Sequence, residues 1–179
     1  NKVTGSNNGY PQAALVIKKS FLRDYPNYAA DFAAAFKQGA KWAESEPEAA
    51  FAAIKSAGST TVPILNQTVA KGCNLGFTSA YDAKNELLAF YAALDKVKEE
   101  GENPVGNVKP ADEFFVDANN IKGSSSAMPA SVNVYAPDGA PAIGMAKLIA
   151  DGYGGANFHV IPPANIGSAV LNGNADIAV

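Results

Sequence analysis

The sequence predicts an α/β fold: a three-layer helix–sheet–helix lobe around a mostly parallel sheet. Three observations predict it. Residues 132–179 read as two consecutive strand, loop and helix units that close on a third strand. Ala13-Ala14-Leu15-Val16-Ile17 is a continuous apolar run of the kind found in a strand covered on both faces. Between these segments lies a series of helical stretches broken only by glycine and proline.

In chain order, residues 1–9 (NKVTGSNNG) are polar and aperiodic and read as a loop or frayed end. The strand candidate spans Pro11 to Ser20, with Lys18-Lys19 at its exit. Phe21 to Pro26 leads into a long helix, because Tyr28, Ala29, Phe32, Ala33, Phe36, Ala40 and Ala43 recur at steps of three and four until Pro47. A second, alanine-rich helix covers Glu48 to Ala57 and stops at Gly58. A third covers Pro63 to Gly72, with Ile64, Leu65 and Val69 inward. After the glycine-punctuated stretch 72–77, Ser79 caps a helix running to about Glu100, whose apolar face is Leu87, Leu88, Tyr91, Leu94 and Val97. From Gly101 to Ala130 the composition changes. Pro104, Gly106 and Pro110 precede an apolar patch, Phe114-Phe115-Val116, that pins the segment to the core, and Asn119 to Ala130 reads as a flexible linker.

The last third is the most legible. Val132 to Ala136 is β-branched and aromatic and ends in the turn Pro137-Asp138-Gly139. Ala142, Ile143, Met145, Ala146, Leu148, Ile149 and Ala150 form a helix face, with Pro141 in the first turn and Gly152 past the end. Asn157 to Ile161 is a strand that Pro162-Pro163 ends, and Ile166, Ala169, Val170 and Leu171 line a short helix stopped by Asn172-Gly173. Ala175 to Val179 is the closing strand. Ligands of such parallel sheets sit beyond the carboxyl ends of the strands, which places the PDGAPA and PPANIG loops on one rim.

The totals bound the function. A chain of 179 residues, 47% apolar, folds as one domain with a sizeable core. Lys and Arg number 14 against 17 Asp and Glu, a net charge of −3 with no basic run, so no nucleic-acid partner and no anionic membrane surface is expected. The single cysteine, Cys73, precludes an internal disulfide. No apolar run reaches the roughly 18 residues of a spanning helix, and the amino terminus has no leader pattern.

VNVYAPDGAPAIGMAKLIADG followed by VIPPANIGSAVLNGNADIAV resembles the opening of the mature type II periplasmic substrate-binding proteins of ABC transporters, the group that binds nitrate, sulfonates and thiamine precursors. YPQAALVIKKSFLRDYPNYAADFAAAFKQGAKWAESEPEAA is similar to that family's closing part, where the chain returns from the second lobe through an apolar strand into a helical tail. The order is reversed here. Residues 1–118 correspond to the former carboxyl-terminal part, 119–130 to the linker and 131–179 to the former amino-terminal βαβαβ part. Met128, behind Gly123-Ser124-Ser125-Ser126-Ala127, looks like an old start codon at a cloned junction. A family member would continue beyond Val179 into the rest of its first lobe and a second lobe. The expectation is therefore one excised, circularly permuted lobe, with the Leu15 strand antiparallel to the rest.

The resemblance implies non-catalytic capture of a small solute for an ABC permease, outside the cytoplasmic membrane and without a cofactor. Its implied ligand contacts are Asp138, Gly139, Ala140, Pro141, Ala142, Pro163, Ala164 and Asn165, with the helix start near Pro141 attracting a carboxylate, sulfonate or phosphate. Each has a plain alternative: PDGAPA as an ordinary tight turn, and Asn165 as a helix cap, the favoured role. Tyr10 and Gln12 are read as packing or crossover residues, His159 as a structural histidine and Cys73 as a packed thiol. Trp42, Tyr28, Phe32 and Phe36 are core, and Glu44, Glu46 and Glu48 a solvated helix end. No phosphate-binding or nucleophile-elbow motif and no metal-ligand spacing occurs, so an enzyme is not expected. The competing readings are a ligand-free scaffold, a module that forms a homodimer through the face of the missing lobe, and a flavodoxin-like phosphate binder.

Overall fold

In the computed structural model, which describes residues 12–102, 110–118, 120, 121, 123, 125 and 127–179, the apolar run before Lys18 gives a strand of only two residues, β1 (Val16–Ile17). Ala13 and Ala14 are exposed. Alanine buries too little to hold a strand edge, so pairing starts at the first β-branched residue. The readings made for residues 1–9, Tyr10, Pro11, Pro104, Gly106, Asn119, Ser124 and Ser126 lie outside the described residues.

Helices α1 (Lys19–Asp24) and α2 (Pro26–Gly39) follow, the second with proline in its first turn and Tyr28, Ala29, Phe32, Ala33 and Phe36 all buried. The single long helix expected up to Pro47 is in fact interrupted. Lys41 leaves helical geometry (φ −97°, ψ 3°), and α3 (Trp42–Ser45) starts anew. The interruption falls beside Gly39, a weak helix former, which lies so near Lys147 that an added Cβ would sit 2.8 Å from the lysine's own. Helix α4 (Pro47–Ser56) buries Ala50, Ala53 and Ile54. Helix α5 (Gln67–Gly72) is shorter than expected, because Asn66, three residues past Pro63, accepts from the Val69 amide at 2.9 Å and caps the helix there. Leu65 is inward, but Ile64 and Val69 face solvent.

The chain divides into two compact units. Among the described residues the smaller comprises 12–14, 78–102, 110–118 and 120. In it, Ser79 caps α6 (Ala80–Val97) as anticipated, accepting from the Asp82 amide at 3.1 Å while its hydroxyl donates to the Asp82 carboxylate at 2.7 Å. The helix ends at Val97, three residues early, and Val97 is exposed rather than part of a buried face. The Phe114-Phe115 patch splits at a single 3₁₀ turn. Phe115 is buried with the Lys84 ammonium 5.6 Å from its ring centre, whereas Phe114 is half exposed.

The larger unit, Leu15–Phe77 with Ile121–Val179, holds the sheet. Here β2 (Val132–Pro137), α7 (Ala140–Gly144), α8 (Ala146–Asp151), β3 (Ala156–Ile161), α9 (Ile166–Leu171) and β4 (Ile177–Ala178) follow one another. The expected helix after Pro141 is two short ones hinged at Met145, with Gly152 ending the second. The strands are ordered β1-β4-β2-β3 in one open sheet, broadly α/β in class. Strand β2 runs parallel to both β3 and β4, and β1 is antiparallel to β4, with Val16 opposite Ala178. Asn27 donates to the Ser125 carbonyl at 2.9 Å, tying part of the linker segment to α2.

Strand alternation decides the two faces. Val132, Val134 and Ala136, with Val160 and Ile177, meet Phe21, Tyr28, Phe32, Phe36, Ile54 and Met145 in one core. The opposite face carries Asn133, Tyr135, Pro137, His159 and Ile161, all half-buried. Going from β2 to β3 moves the chain one way along the sheet, and going from β3 to β4 moves it back past β2. Right-handed crossovers therefore put α7 and α8 on the first face and α9 on the second. That second helix buries only Ala169. Val170 and Leu171, expected to line it inwardly, are exposed, because a six-residue helix of fewer than two turns presents little more than one position to the sheet.

One group in the core is unpaired. The Tyr28 hydroxyl is buried and has no hydrogen-bond partner among the described residues, and burial, with the neighbouring Tyr153, pushes its pKa up to about 12. An unmet buried hydroxyl costs about 1–3 kcal/mol. Tyr28→Phe keeps the edge-on contacts with Phe21 and Tyr153. It is expected to raise unfolding stability by about 1 kcal/mol in urea titrations; a loss of stability would show that the hydroxyl is satisfied.

Candidate functional site

The rim at the carboxyl ends of β2 and β3 is where the two crossovers leave for opposite faces of the sheet, and ligands of α/β sheets bind beyond such strand ends. The two exit loops touch there, with the Asp138 amide donating to the Ile161 carbonyl at 2.8 Å. A third segment joins them. The Val160 amide donates to the Ala57 carbonyl at 2.8 Å, which draws the exit of α4 along the outer edge of β3. Gly58 makes this possible. Its φ of +109° suits glycine alone, and an added Cβ would stand 2.9 Å from the Val160 carbonyl oxygen.

Asp138 is the knot. One carboxylate oxygen accepts from the Ser59 hydroxyl at 2.7 Å, and the other from the amides of Thr60 and Thr61, both at 2.7 Å. Only 9% of the residue is exposed. Burial by itself would raise the pKa, but the bonds from Ser59, Thr61 and Thr60 outweigh it and hold the carboxyl near 2, below its ordinary 3.8. The side chain is therefore a charged anchor turned into the protein, not a group presented to a ligand. Ser59 is buried with it, and Thr60 and Thr61 are left exposed on the rim.

The other anticipated contact residues separate into three kinds. Gly139, at φ +133° and half-buried, starts α7 with nothing within 4 Å of where a Cβ would lie, so its role is conformational rather than one of close approach. Ala140 is exposed and Pro141 half-buried beside it. Ala142 is fully buried and belongs to the core, since it follows Ala140 by half a helical turn. Pro163, Ala164 and Asn165 are exposed in a 3₁₀ turn. Asn165 makes no capping bond, contrary to the favoured reading, because the 3₁₀ turn already carries the chain in helical geometry (φ −95°, ψ −11°) into α9.

Sequence reasoning missed Ser59, Thr60 and Thr61. Hydroxyl-rich residues after a helix-ending glycine are ordinary, and nothing local pairs them with an aspartate 79 positions away. His159 stacks on Tyr135, ring centres 4.5 Å apart, on the sheet's second face. Cys73 is half-buried, and burial raises its thiol pKa, which keeps it protonated. Trp42 is half-buried beneath the Lys147 ammonium at 5.7 Å, and Gln12 is exposed. Compared with protein-family models, curated proteins and solved structures, the chain matches none.

Because the folded pKa of Asp138 lies below the unfolded one, its contribution is complete above about pH 4 and disappears as pH falls towards 2. That contribution is about 2 kcal/mol by linkage. Urea midpoints should be flat for this group from pH 7 to 5 and drop below pH 4. Asp138→Asn should cost about 1–3 kcal/mol and flatten part of the acid limb. An acid limb unchanged in the variant would refute the assignment.

Proposed function

We propose that the chain is one lobe of a non-catalytic solute-binding protein of the ABC-importer type, with its segments in permuted order. One observation carries the reading: the exits of two parallel strands lie hydrogen-bonded together where their crossovers leave for opposite faces of the sheet, with exposed threonine, alanine, proline and asparagine side chains around them. Two further features support it. The segment before Lys18 enters the same sheet antiparallel, as a returning strand does. The ionisable group of the rim, Asp138, is consumed by three internal bonds and so is a positioning residue rather than an acid or base. The parent protein would work outside the cytoplasmic membrane and deliver its solute to a permease.

A full binder closes two lobes over its ligand and buries most of it. A single rim exposes one side of the solute and has no clamp, so affinity falls steeply. Isothermal calorimetry with candidate amines, sulfonates and nitrate should give dissociation constants weaker than about 1 mM. Micromolar binding to the isolated chain would sink the half-site reading.

A second reading, an interaction module, is favoured by the sheet's less covered face. Val170 and Leu171 are exposed there, Leu171 to 87%, beside a shallow cavity lined by Val16, Ile17, Ala175 and Ala178. Light scattering after size exclusion separates the two. A monomer at 100 μM, roughly the level at which weak dimers form, favours the solute lobe; a dimer that Leu171→Asp dissolves favours the module.

A further inference from the structure

The charge inventory of the rim narrows what it can hold. Residues 57–66, 137–146 and 161–171, the three stretches that build and flank it, contain no lysine, arginine or histidine, and Asp138 is their single ionisable side chain. An anion bound at such a rim is ordinarily met by an ammonium, a guanidinium or unoccupied backbone amides. None of these is offered by the α4 exit. The amides of Thr60 and Thr61, successive donors of the kind that cradle anions, already hold the Asp138 carboxylate at 2.7 Å each. Helix α7 has only five residues, and Pro141 removes one of its first amides. The anion site of this loop is thus filled by the protein's own carboxylate.

What remains is a fixed negative charge just beneath an otherwise uncharged surface. The three hydrogen bonds keep it ionised at neutral pH. Burial also keeps solvent from screening it fully, so its field reaches the rim. We infer that this rim takes a small organic cation, a protonated amine or a cationic heterocycle, and disfavours carboxylate, sulfonate and phosphate. Asp138 acts here through its field rather than by contact. The inference rests on the rim being the solute site of the lobe, and it names the substrate class of that site.

Benzylammonium and benzoate, one ring with opposite charges, test it when titrated into the nitrogen-15-labelled chain at low salt, with the amide resonances of Thr60, Gly139, Ala140 and Ala164 as the readout. The cation should half-saturate these shifts at a concentration about tenfold lower than the anion. The difference should shrink to about twofold at 0.5 M NaCl and in Asp138→Asn. If that variant does not fold, the salt series on the unmodified chain decides. Benzoate acting at equal or lower concentration would overturn the inference and leave the rim as a solute site. Rim resonances that respond to neither compound at about 50 mM, far above a millimolar constant, would remove the solute site and the inference together.

Discussion

The sheet depends on a two-residue strand paired on both sides. Ile177 and Ala178 meet Val134 and Tyr135 in parallel on one edge and Ile17 and Val16 in antiparallel on the other. Asp176, just before them, takes part in the same ladder: its amide donates to the Asn133 carbonyl at 3.0 Å, its carboxylate accepts from the Asn133 amide at 3.0 Å, and its carbonyl accepts from the Lys18 amide at 2.9 Å. Buried backbone groups must be paired, and here every pairing joins segments far apart in sequence. Among the described residues strand β1 has no other strand neighbour in the sheet, so its place follows from β4.

From that seam the asymmetry of the lobe follows. One face of β2 is all small or branched apolar side chains, and the aromatic face of α2 packs with α7 and α8 over it as a single core. The other face mixes Asn133, Tyr135 and Pro137 and receives the short α9. The rigid side thus carries the sheet, while the rim sits where the two crossovers part. There, the Asp138 carboxylate fastens the exit of α4 to the exit of β2. A charged group with three donors is a strong fastener in a low-dielectric setting, and it leaves the nearby amides without capacity for anything else. The three bonds that stabilise this fastening are also the ones from which the preference for a cation is inferred.

Resemblance and architecture bear on different questions. The strand order, the antiparallel β1 and the adjoining exits of β2 and β3 are geometric facts of a broadly α/β sheet. Folds of this class host many functions, and the site rather than the fold decides among them. The chemistry of the rim is the more informative guide, because it concerns the particular donors and charges that a ligand would meet.

How much was legible is best judged residue by residue. The period-two alternation of Val132, Val134 and Ala136, the three-and-four spacing of Tyr28, Phe32 and Phe36, and the Ser79 cap are local patterns, and each produced the element it implied. Extents were less secure: the run at Ala13, the helix through Lys41 and the one from Pro63 all shortened where neighbouring elements, rather than propensity, chose the boundary. At the rim, the turn into a helix at Gly139 and Ala140 formed as its local pattern implies, whereas the inward turn of Asp138 has no such local signal. By itself, then, the sequence determined the class of fold, the parallel direction of β2, β3 and β4 and the loops at their carboxyl ends, since these follow from periodicity and connection handedness. Only the tertiary structure decided that Ser59, Thr60 and Thr61 reach Asp138, because that contact spans more than seventy residues and no local pattern records it.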